Sequence, residues 1–241
     1  MTLFGDVARW FADPAHYQGS DAVQTRIFEH VAVSGLAVLV GVLVALPIGL
    51  YLGHTGRFGL VAVNVANIGR AIPSLAAVAL AIPIAGTLLG VENGLGFWPT
   101  FFALIPLALP PILTNAYVAV RDVDRDVIEA ARGMGVSESG ILGRIELPLA
   151  MPLVLAGMRT AAVNVIATAT LGALVAFGGL GRYIVDGLAL REYDRLFAGA
   201  LLVALLAIAA ELAFSAFERA AISPGIRPRS ERSEDVARSG G

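Results

Sequence analysis

Few residues in this chain are equipped for chemistry, and their surroundings narrow what that chemistry is. Arg70, Arg159 and Glu211 stand inside apolar runs, where an ionised group is costly and is usually paired or turned toward a polar cavity. Thr160, Asn164 and Thr168 recur every four residues, which puts them on one face of a helix. Such a stripe either lines a path for a polar solute or hydrogen-bonds to a neighbouring helix beside small residues such as Gly157 and Ala161. Ser74, Asn64, Asn67 and Asn115 carry the same two readings. Phe97, Trp98, Phe101, Phe102 and Tyr117 suggest either a cation–π box for a quaternary ammonium or an interfacial belt.

Catalysis finds little support. His16, His30 and His54 are too far apart for an H-E-x-x-H zinc site, and no G-x-S-x-G elbow is present. Cysteine is absent, which excludes disulfides and thiolate chemistry. All 17 residues of the Lys and Arg class are arginine. A Walker A loop needs its lysine against the nucleotide phosphates. No catalytic residue, metal site or cofactor is therefore expected on this chain, and any ATPase must be another polypeptide. A net charge of −2 gives no electrostatic reason to expect a nucleic-acid partner.

The elements that position these residues must suit apolar surroundings. The chain is 57% hydrophobic and 15% charged with a mean hydropathy of +0.77, whereas a soluble domain is roughly half apolar and a quarter charged. The expected fold class is all-α and polytopic in a lipid bilayer. Its 27 glycines and 12 prolines are scattered through the apolar runs, as membrane helices tolerate. A crossing takes about 20 apolar residues, and five regions qualify: 31–53, 58–87, 97–120, 149–171 and 196–217. The second is long and carries Arg70, Pro73 and Pro83. It is expected to be one kinked or tilted helix with a break at residues 70–73, which makes six segments if the halves are counted apart.

Basic residues favour the cytoplasmic side. Arg121, Arg125, Arg132 and Arg144 put the loop between the third and fourth spans inside, and with it the carboxy terminus. Arg182, Arg191 and Arg195 fall in the predicted outer loop and count against this orientation. Residues 1–29 form an extracytoplasmic segment without signal-peptide features, in which Leu3, Phe4, Val7, Trp10 and Phe11 suggest a short interfacial helix ending near Asp13-Pro14. Residues 30–220 form the membrane domain, with its inner loop at 121–148. Residues 221–241, rich in Pro, Ser, Gly and Arg, are expected to be a disordered cytoplasmic tail.

In the inner loop, Asp124 is placed to cap a short helix that includes Glu129, with Ala130 and Ala131 expected to make one side small enough for a neighbouring surface to approach. Gly135 then supplies the φ > 0 conformation that ends it. Ser137 starts a second helix, which Pro148 is expected to terminate. Counted from the inner ends, Arg70, Arg159 and Glu211 lie roughly 12 to 16 Å deep at about 1.5 Å per residue. One carboxylate does not neutralise two guanidinium groups, so Glu211 is expected to pair with one arginine while the other snorkels or faces the path.

Glu129-Ala130-Ala131, three residues, Gly135, nine residues and Ile145-x-Leu147-Pro148 together resemble the signature of permease subunits of ATP-binding-cassette (ABC) importers. Gly69 to Leu75, Leu109 to Leu113, Ala156 to Ala161, Gly172-Ala173-Leu174 and Gly178 to Gly181 resemble permeases for glycine betaine, carnitine and choline. The likeness covers roughly residues 29–220. It implies a type I ABC importer permease fold with a cytoplasmic coupling helix, in a bacterial plasma membrane. It also implies three partners: two copies of a cytoplasmic ATPase, a second permease that is identical or a sister, and an extracytoplasmic substrate-binding protein. That protein is expected to be a separate chain and to hold the recognition cage for the amine. The implied function is import of a quaternary-amine osmoprotectant, with another small solute such as an amino acid as the alternative. A secondary transporter also has polar residues and broken helices inside the membrane, and it has no need of the inner-loop motif.

Overall fold

The structure, a computed structural model of the chain, describes residues 3–90 and 94–222. In chain order its helices are α1 (Leu3–Ala12), α2 (Val23–Thr55), α3 (Gly59–Ala71), α4 (Ser74–Leu89), α5 (Phe97–Arg121), α6 (Arg125–Gly133), α7 (Glu138–Ile141), α8 (Leu147–Ala169), α9 (Gly181–Leu190) and α10 (Tyr193–Ala221). A π turn, Leu142–Glu146, joins α7 to α8, and the 3-10 turn Thr170–Val175 continues α8. Among the described residues, four helical stretches are long and apolar enough to cross a bilayer: α2, α5, α10 and the rod Glu138–Val175.

The second expected crossing is divided where the sequence marks it. α3 ends at Ala71, Ile72 is extended with ψ 120°, and Pro73 caps α4. A proline disfavours helical backbone at the residue before it, so Ile72 breaks the run. Together α3 and α4 make one passage. Gly59 at the start of α3 lies against the Tyr117 ring near the end of α5, while Val78 and Ala81 of α4 pack with Ala103 and Val175 at the other end of the bundle. Among the described residues, α3 with α4 thus runs alongside the four long helical stretches. Arg70 belongs to α3, but its side chain lies outside the described structure, as does its expected role in an ion pair. Of the expected disordered tail, Ala221 closes α10 and Ile222 is buried, while residues 223–241 lie outside the described residues.

Small residues let the helices approach. On α2, Val33, Ala37, Gly41, Ala45, Gly49 and Gly53 are all buried at four-residue spacing, and Leu104, Ala108, Ile112 and Ala116 form the facing stripe of α5. A Cβ built on Gly49 would stand 2.7 Å from the Ala116 Cβ and 2.8 Å from the Leu113 carbonyl oxygen. Ala161, Val165 and Ala169 of α8 complete the core. Outward, by contrast, Leu39, Leu43, Leu80, Leu88, Leu205 and Leu212 are exposed. An apolar exterior over helices whose backbone bonds are internally satisfied suits hydrocarbon.

α2 begins at Val23, earlier than the apolar run alone indicates. Its first polar turn is satisfied by the loop before α9. Glu29 accepts from Arg26 at 2.8 Å and from the Gly179 amide at 2.7 Å, and His30 Nε2 lies 2.9 Å from the Ile166 carbonyl. α1 forms as expected and ends at Ala12, with Asp13 capping the next turn. Rather than lying free at an interface, it packs on α10, because Trp10 inserts among Val23, Leu180, Tyr183 and Ala198.

Candidate coupling surface and intramembrane polar residues

Local sequence builds the loop between α5 and α8. The Asp124 carboxylate accepts from the Asp126 amide at 2.9 Å and starts α6. Gly135 takes φ +80° after Met134, and Ser137 caps α7 by accepting from the Gly140 amide at 3.3 Å. Ile128, Ala131 and Ile141 are buried together, with Val123, Val136 and Ile145 around them. Burying an isoleucine contributes about 1.5–3 kcal/mol, so this small cluster gives the helix pair a core of its own. Exposed around it are Glu129, Ala130 and Met134.

Two expectations about this loop need correction. Ala130 and Ala131 do not form one small-residue side: Ala130 is exposed, while Ala131 is 1% exposed and faces the cluster. Adjacent helical residues point about 100° apart. Nor does Pro148 end the second helix. It occupies the first turn of α8, where its missing amide is tolerated. The preceding turn is π, with the Leu147 amide reaching back to the Leu142 carbonyl. The wider turn carries the helix up to the proline and through it. As a result Glu138–Val175 is one rod of 38 residues, about 57 Å long at 1.5 Å per residue. Ile145, Leu147 and Pro148 therefore sit on a membrane-crossing helix rather than on a separate segment.

The structure adds residues that sequence spacing did not connect. His54, in the last turn of α2, lies 2.6 Å from Glu146 and 3.2 Å from Glu138. Glu138 accepts from Arg132 Nε at 2.7 Å and Nη2 at 2.9 Å, and this bond raises the arginine pKa further above its ordinary value. His54 and Glu146 are 92 positions apart, so no local pattern joins them. A buried glutamate inside an otherwise apolar Ile-x-Leu-Pro run was the available signal.

Deeper along the helices, Arg159 of α8, one of the two arginines left open as partners of Glu211, meets Glu211 of α10 at 3.4 Å and also Glu218 at 3.8 Å. The stripe on α8 is only partly free. Thr160 and Asn164 are exposed on this single chain and Thr168 is half-buried, while the Thr160 hydroxyl donates to its own helix at Ala156, 2.9 Å away. Asn115 donates to Pro111 at 2.7 Å and lies against Gly157, whose Cβ would fall 2.6 Å from the asparagine Cβ. Ser74 is half-buried in the first turn of α4, and Asn64 and Asn67 are exposed on α3. At one end of α5 Trp98 packs edge to ring with Phe97 and Phe101, Phe97 stacks on Phe101 and meets Phe177 edge to ring, and Phe102 lies tilted against Trp98 and Phe101. Tyr117 is near the other end of that helix, against Gly59, so the five aromatics form no single box.

At the α1 end two of the three arginines that count against the orientation are paired with acidic side chains. Arg195 reaches Asp21 at 3.1 Å and Asp186 and Glu192 at 3.4 Å each, and Arg182 reaches Asp186 at 2.9 Å. The Tyr183 hydroxyl donates to the Asp21 carbonyl at 2.5 Å, and burial, aided by Asp21, pushes its pKa up to about 12. This ring and these ion pairs border an open cleft that also includes Trp10, His16 and Tyr193. Among the described residues, no group of three or more His, Asp or Glu side chains is arranged to hold a metal ion.

Residues 37–223 match the family described as binding-protein-dependent transport system inner membrane component. The chain is 34% identical over 208 residues to the choline transport system permease protein OpuBB of Bacillus subtilis, covering 86% of this chain and 92% of that one. It is 36% identical over 212 residues to the carnitine transport permease protein OpuCB of Listeria monocytogenes, covering 88% and 93%. Among solved structures, the MetNI methionine ABC transporter in an inward-facing form matches with a TM-score of 0.71 at 22% identity, over 81% of this chain and 94% of that one. This last likeness shows the fold.

Proposed function

The chain belongs to the binding-protein-dependent transport system inner membrane component family, and from that premise we propose that it is the permease subunit through which an ATP-driven importer moves a quaternary-amine osmoprotectant. As a multi-pass membrane protein of this family it provides the route and leaves the energy source to others. ATP and magnesium bind a separate ATPase dimer, a second permease completes the route, and an extracytoplasmic binding protein delivers the solute. The α6–α7 end faces the cytoplasm and receives the ATPase.

What carries this reading is the placement of the motif. Glu129, Ala130 and Gly135 lie on an exposed helix pair at one end of the bundle, and Ile145, Leu147 and Pro148 belong to the rod that crosses it. A push on α7 is thereby delivered to a membrane helix without an intervening hinge loop, and α6 is joined to α7 by the Gly135 turn and the shared Ile128, Ala131 and Ile141 cluster. The relatives named for choline and carnitine, matched over most of their length, support a quaternary amine as the solute. Along the path, the exposed side chains of Thr160 and Asn164 on α8 are positioned to meet the solute or the second permease, with Ser74, Asn115 and Thr168 less exposed. Arg159 and Glu211 hold α8 to α10 beside them.

Purification tests the assembly directly. The tagged chain, purified from the cell that makes it, should bring down an ATPase whose hydrolysis is vanadate-sensitive and rises with loaded binding protein. A chain that purifies alone, and to which no ATPase binds, would sink the reading.

A further inference from the structure

The loop α6–α7 is covalently tied to α5 and α8, yet its charged side chains also reach α2. His54 Nδ1 lies 2.6 Å from a Glu146 carboxylate oxygen and Nε2 stands 3.2 Å from Glu138, so the imidazole bridges two carboxyl groups. Glu138 takes both available arms of Arg132. The imidazole is thus the middle of a chain, Glu146, His54, Glu138, Arg132, that runs from the π turn to the end of α2 and out to α7 and α6. We propose that His54 is a positioning residue that makes α2 follow the α6–α7 pair when a partner pushes on it.

The two ends of the chain suit these different tasks. Glu138 and Arg132 have side chains 57% and 47% exposed, on the surface offered for docking, whereas Glu146 is 5% exposed and His54 has a side chain 11% exposed. A force applied at the exposed end reaches a buried hydrogen-bonded pair, and such a pair is hard to part because each partner would be left unsatisfied away from water. α2 has little freedom to absorb the motion locally. A Cβ on Gly53 would stand 2.7 Å from the Val120 Cβ, and Arg121, Arg125 and Glu129 close the small cavity around the imidazole. Motion of the docking loop therefore passes into two helices, α8 through the rod and α2 through His54.

This inference rests on the transport reading, and its test keeps the two apart. The complete complex is reconstituted in vesicles with loaded binding protein, and uptake of radiolabelled choline is measured per ATP hydrolysed. Wild type must first hydrolyse ATP and take up choline; if it does neither, both readings fall. His54→Ala is expected to lower uptake per ATP about three- to tenfold, with the ATPase still bound and basal hydrolysis retained. His54→Asn, whose amide stands where Nδ1 did and can donate to Glu146, is expected to recover part of that loss, which a gap-filling role would not require. Uptake per ATP unchanged in His54→Ala overturns the proposal. If that variant does not assemble, Glu138→Ala removes the exposed arm and leaves the buried pair intact. It must then show the lowered ratio, and an unchanged ratio overturns the proposal as well.

Discussion

Gly135 shows how one backbone position governs the docking loop. Its φ of +80° is the constraint, since nothing lies within 4 Å of where a Cβ would sit. A β-branched residue there would cost about 1–2 kcal/mol of strain, all of it at the turn between α6 and α7. Gly135→Val should leave the ATPase bound and reduce solute-stimulated hydrolysis, while Gly135→Asn, which tolerates this region better, should keep most of it. Equal stimulation in the valine variant would remove the turn from the coupling route. Arg159 offers a second comparison. Glu211 and Glu218 both approach it, so Glu211→Gln leaves one carboxylate in place, whereas Arg159→Gln leaves two carboxylates without their cation. Uptake assays should show the larger loss for the arginine variant and recovery in the charge-swapped Arg159→Glu, Glu211→Arg double. Failure of the swap to recover either assembly or uptake would contradict a direct pair.

Among the elements, α2 and α5 depend on small residues where their axes are closest. Gly49→Leu would force a side chain into the Ala116 Cβ at 2.7 Å, and overpacking of this kind costs about 1–3 kcal/mol. Gly35, on the same helix with nothing within 4 Å of a built Cβ, should accept alanine. A thermal stability assay in detergent should separate the two, and similar melting of both would contradict the packing described here. The crossings were legible because membrane helices need long apolar runs, and the break at Ile72 was legible because Pro73 restricts its neighbour. The π turn was not. Proline ordinarily signals an end, and nothing in Leu142–Glu146 announces that a widened turn will carry the helix through Pro148. Reading an end there divided what is one lever.

The molecule as a whole is an apolar-sided bundle with charge concentrated at its two ends, and the ends differ in how well the sequence disclosed them. Motif residues within one loop could be found by spacing. His54 could not, since its partners lie on a loop joined to it only by folding, and Trp10 likewise needed α10 and α9 in place before its burial made sense. Arg182 and Arg195 counted against the orientation in a tally of basic residues, but both are paired with acidic neighbours at the α1 end, so their charge is offset locally. The central claim is that force made by a separate ATPase drives a solute through this bundle. Its most direct test is choline uptake into vesicles holding the complete complex, with ATP supplied on the α6–α7 side and ion gradients collapsed. Uptake that needs ATP and the ATPase and stops with vanadate is the expected result, and uptake by this chain alone, driven by an ion gradient and indifferent to ATP, would contradict it.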